Sequence, residues 1–171
     1  ALQAVSVFAC GDIEGSFHAG RRAMAALTAQ SIAWFSSGVM VLACATQLQL
    51  PDFCLDLLGV LQLPSSVSAL PPVTLIAMAL GAVTSFQTGQ FAVGNRCVQW
   101  LTQVAQAAPS PHLDGCLALA RFPQVRVIQQ DPYAAFLQAR KMTAAFTQTK
   151  GWSMASYGET LAGTVLADLG C

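Results

Sequence analysis

The side chains able to do chemistry are few, and their spacing joins them into no familiar reaction centre. The cysteines are Cys10, Cys44, Cys54, Cys97, Cys116 and Cys171, and the histidines are His18 and His112. No cysteine pair is spaced as CxxC, and neither imidazole stands where a zinc finger would put it. Small buried hydrophobes is therefore the leading reading of the thiols, ahead of three disulfides in an oxidising compartment and of a metal site. A Ser–His–Asp set would have to draw on the same two histidines, and no spacing links one. HExxH, Walker and EF-hand loops are absent. Asp52 and Asp56 stand four apart and could share a helix face as an acid/base or cation pair. Solvating a connector asks less of them.

Two stretches near the N-terminus resemble known families. The apolar run Val7-Phe8-Ala9 leads into Cys10-Gly11-Asp12, followed by Gly15, Gly20, Arg21 and Arg22. An apolar strand ending in Gly-Asp and entering a helix resembles the C-terminal flavin-binding segment of FAD-dependent oxidoreductases. The resemblance implies that Asp12 contacts the ribityl or phosphate part of FAD, with the helix N-terminus facing the pyrophosphate. None of the 13 glycines forms the GxGxxG turn that the same family uses upstream. Gly20-Arg21-Arg22-Ala23-Met24 is similar to the GRxAM core of chlorophyll-binding helices in the light-harvesting family. Where that family places its ligating Glu this chain has Ser16, so the resemblance leaves His18 as the group that could reach a magnesium. Asp12 and His18 are thus the candidate cofactor-binding residues, toward FAD and chlorophyll respectively.

The elements that would position them are dominated by a shortage of charge. The chain has 171 residues, 54% of them apolar and only 9% charged, with a net charge of +0. Soluble domains ordinarily carry about 25% charged residues. This composition excludes a disordered chain and a nucleic-acid binder built on a general basic surface. Between Arg22 and Arg96 there is no cation, and the only anions are Asp52 and Asp56. Residues 27–45 and 67–85 each reach the roughly 20 residues a helix needs to cross a ~30 Å hydrocarbon core. Pro71-Pro72 suits the entry of the second helix, where the missing N–H costs nothing. Arg21 and Arg22 before the pair, Arg96 after it and an acidic connector between them put both termini on the cytoplasmic-type face.

The remaining segments read as helical. The first eleven residues suggest a short strand or apolar arm. A helix is expected over 97–108, stopping before Pro109-Ser110-Pro111. Asp131-Pro132 marks another start, with Asp as N-cap and Pro in the first turn. A last helix is expected over 159–169, and no internal repeat is evident. The expected fold is all-α in a single domain, 1–171: an N-terminal arm (1–22), an apolar helical hairpin embedded in a membrane (23–95, with helices near 24–46 and 72–93), and a helical C-terminal part (96–171). The expected function is a non-catalytic structural or accessory subunit of a multi-subunit membrane complex, energy-transducing or photosynthetic. Its partners would be other subunits, lipid and pigment, with no nucleic acid. The alternatives are a soluble helical protein that self-assembles and a fragment of an FAD-dependent oxidoreductase.

Overall fold

Prolines and capping side chains set the helix starts. The computed structural model describes residues 11–62 and 69–171, and among these every regular element is helical. The helices are α1 (Ile13–Ala26), α2 (Ile32–Gln47), α3 (Pro51–Val60), α4 (Pro72–Gln87), α5 (Phe91–Ala107), α6 (Pro111–Pro123), α7 (Pro132–Gln148) and α8 (Trp152–Asp168). A π-helical segment, Gln124–Gln129, continues α6. Four helices begin on proline, whose fixed φ and absent N–H suit the first turn. Asp12, Ser31, Ser110 and Asp131 cap α1, α2, α6 and α7 by accepting a backbone N–H from three residues on. The strand expected over the first eleven residues lies, but for Gly11, outside the described residues.

The same corner recurs along the chain. α2, α4, α7 and α8 each end with a residue in the left-handed region followed by a six-to-one hydrogen bond, a Schellman turn. Leu50 N–H donates to Ala45 C=O at 3.0 Å, Gln90 to Ser85 at 2.7 Å, Gly151 to Phe146 at 2.8 Å and Cys171 to Leu166 at 3.0 Å. Of seven described residues with positive φ, Gly11, Gln49, Gly89, Gln130 and Gly170 are spaced 38, 40, 41 and 40 residues apart, while Gln30 and Lys150 precede α2 and α8. The N-caps of α2, α4, α6 and α8 are Ser31, Pro71, Ser110 and Gly151, spaced 40, 39 and 41 apart. A helix pair therefore repeats about every 40 residues. The even-numbered helices are its first members and the odd-numbered ones its second. This corrects the expectation of no internal repeat.

Packing follows that period. First helices stack in a row, α2 on α4 and α4 on α6, and second helices lie against them, α5 contacting both α4 and α6. α7 packs against both α6 and α8. Thr74 Oγ1 donates to Ser36 Oγ at 2.9 Å between α4 and α2, and Gln90 Nε2 donates to the Thr46 carbonyl at 3.3 Å between successive corners. Glycine permits the tightest approaches. A Cβ at Gly158 on α8 would stand 2.6 Å from Thr143 Oγ1 and 3.0 Å from Thr143 N on α7. One at Gly20 on α1 would stand 2.5 Å from a Val41 methyl on α2.

The apolar runs are thereby accounted for without hydrocarbon. Twelve of the sixteen residues of α2 and ten of the sixteen of α4 are buried. Their cover comes from the chain itself: α1, α3 and α4 around α2, and α2, α5 and α6 around α4. The expected hairpin is also interrupted. α1 ends at Ala26, five residues before the α2 cap, and α4 ends at Gln87, so neither the 24–46 nor the 72–93 helix is continuous. Sixteen residues span about 24 Å, short of a ~30 Å hydrocarbon core. Among the described residues no helix is long and apolar enough to cross a membrane, and membrane embedding is not supported.

Candidate functional site

Asp12 and His18 occupy different surroundings on α1. Asp12 Oδ1 accepts the Gly15 N–H at 2.7 Å. Asp131 does the same for α7, accepting from Ala134 N–H at 2.8 Å. Both aspartates directly follow a left-handed residue, Gly11 or Gln130. The Gly-Asp step that resembles a flavin segment is thus one copy of the recurring corner. His18 is exposed six residues further on, about 9 Å along the helix and some 240° round it. It lines a shallow hollow of about 300 Å³ with Arg21, Arg22 and Ala25. The two candidates do not converge. Arg21 is itself engaged, its guanidinium 5.7 Å from the Phe17 ring and 5.8 Å from the Phe53 ring, which pins α1 to α3. Ser16 is fully buried, and its hydroxyl finds no hydrogen-bond partner among the described residues.

The four buried thiols are not activated. Cys44, Cys54, Cys97 and Cys116 are free and buried, while Cys171 is free and exposed. Burial raises Cys44 and Cys54 to about 11 and Cys116 to about 12. Cys97 rises to about 12, chiefly by burial and secondarily through the neighbouring Cys54. A thiol held protonated this way is a poor nucleophile and a poor metal ligand. Among the described residues no three His, Cys, Asp or Glu side chains cluster to hold a metal. Asp52 and Asp56 are both exposed on α3, consistent with solvation of that helix.

The hollow with a distinct chemistry lies on the row of first helices. α4, α6 and α8 enclose a cavity of about 200 Å³. Val83, Leu119, Phe122 and Leu161 line its interior, and Gln87, Arg126 and Tyr157 provide its polar groups. Pro123 explains the local geometry. It cannot donate the N–H that would continue α6, and the backbone widens into the π turn directly after it. Arg126, on that turn, pairs with Asp168 at the end of α8 and lies 5.9 Å from the Phe122 ring. These polar groups come from α4, the π segment and α8, far apart in sequence, so no motif announced them. Larger hollows, of about 430 Å³ between α6 and α7 and about 460 Å³ beside His112, are wider open to solvent.

No family model, no curated protein and no solved structure matches this chain.

Proposed function

We propose that this chain is a non-catalytic helical-repeat scaffold, an accessory subunit that fixes geometry between the partners of a larger assembly. The observation that carries the reading is the 40-residue recurrence of a helix pair, with the first members α2, α4 and α6 stacked in a row and α8 held by α7. Stacked helix pairs build extended surfaces whose length grows with repeat number, and such surfaces serve recognition more readily than reaction. The membrane setting rested on apolar runs that the chain itself covers and the photosynthetic one on the Gly20–Met24 stretch alone, and neither is carried forward. The test is native size-exclusion of cell extract with the chain tagged, followed by cross-linking mass spectrometry. The expected result is elution well above 17.9 kDa with stoichiometric partners cross-linked to several repeats. Elution as a lone chain contradicts it.

A second reading is self-association, favoured by exposed aromatics on the α7–α8 pair. Tyr133 and Trp152 are each 65% exposed, with Leu137 and Leu169 also outward. Sedimentation velocity of the purified chain and of Trp152→Ala separates the two. Concentration-dependent assembly that the substitution weakens supports self-association, and a monomer at all concentrations removes it.

A further inference from the structure

We propose that the cavity between α4, α6 and α8 binds a small amphiphilic carboxylate, an organic acid with a short alkyl or aryl tail. Its interior is apolar on every helix that reaches it. Val83, Leu119 and Phe122 are nearly inaccessible, with exposures of 8%, 1% and 5%, and Leu161 closes the side formed by α8. At about 200 Å³ it exceeds the ~150 Å³ apolar cavity that admits benzene. Arg126 lines the same cavity and is part-exposed, so the site joins apolar walls to one charged group.

Arg126 supplies the charge. Its guanidinium is held by the Phe122 ring and by Asp168, so it meets a ligand with its orientation already fixed. Asp168 engages Nη2 alone, whereas a guanidinium offers five N–H donors in a plane suited to carboxylates. The pair is also part-exposed, at 35% and 52% for the two side chains. Asp168 can therefore share the arginine with an incoming carboxylate or yield it. The π turn agrees with this assignment, since such turns are rare and frequently mark functional sites. The tail would lie among the apolar residues with its headgroup on Arg126.

The test is calorimetric titration of the full chain with butyrate, hexanoate, octanoate and octanol. Saturable one-to-one binding of octanoate is expected, weakening about three- to fourfold for each methylene removed. Arg126→Gln is expected to weaken octanoate at least tenfold and to leave octanol unchanged. Leu161→Trp, which fills the cavity, is expected to abolish both, with thermal melts showing that the variants fold. Asp168→Asn keeps the arginine and removes its competitor, so octanoate should bind severalfold tighter. No saturable binding at millimolar octanoate overturns the proposal. So does equal binding by the Arg126→Gln chain, octanol binding as tightly as octanoate, or an affinity for octanoate that Asp168→Asn lowers or leaves unchanged. The outcome is independent of whether the chain serves as a scaffold.

Discussion

Gln49, Gln130 and Lys150 hold φ values of 57°, 53° and 58°, where an L side chain crowds its own backbone. That conformation costs roughly 1 kcal/mol and falls at helix ends where glycine is the usual occupant. Gln49→Gly and Lys150→Gly should each stabilise the chain by up to about 0.5 kcal/mol in urea denaturation, the lost strain slightly outweighing the added freedom of the unfolded chain. A lower midpoint for both would contradict the corner geometry. Gly158 has the opposite requirement, because Thr143 and the Ala139 carbonyl leave no room for a methyl. Gly158→Ala should cost about 2–3 kcal/mol by forcing α7 and α8 apart, and an unchanged midpoint would show that the pair is looser. Some of this was legible. Asp131-Pro132 announced α7, and Gly89 fits its corner by type. Gln49 and Lys150 carry no local signal for a left-handed residue. At Asp12 the sequence was ambiguous because a carboxylate that caps a helix and one that holds a cofactor occupy the same Gly-Asp step.

The helices were more legible than their surroundings. α2 and α4 read correctly as apolar and helical, but apolar residues on all sides describe a helix in lipid and one wrapped by protein equally well. What decides is the interruption after Ala26 and after Gln87, and the cover provided by α1, α5 and α6. Thiols on α2, α3, α5 and α6 give that cover a pH signature. The unfolded chain releases these protons near pH 9, whereas the folded chain keeps them to about 11 or 12. Between those limits the folded state binds more protons, so stability falls as pH rises through the window and is unaffected by the thiols below it. The expected slope is about 1.4 kcal/mol per pH unit for each thiol. Denaturation at neutral pH and at about pH 10 measures it, and Cys97→Ala should flatten the slope. A stability that stays level across the window would mean that the thiols reach water.

At the scale of the whole molecule, the 40-residue period is a property of backbone and burial rather than of residue type. Its left-handed positions are glycine or glutamine, and the second-helix N-caps are Asp12, Leu50, Gln90 and Asp131. A search for recurring letters finds nothing, although the corners coincide. The period implies that each helix pair is held mainly by its neighbours. The apolar interior then belongs to the stack, and its helices should touch one another rather than anything outside. Phe35 on α2 tests this directly, being fully buried with its ring 5.7 Å from that of Trp100 on α5. With a photoreactive phenylalanine at position 35, irradiation in a native extract followed by peptide mapping should give a cross-link within the same chain, to α5 near Trp100. Cross-links from position 35 to lipid or to another protein would contradict the account.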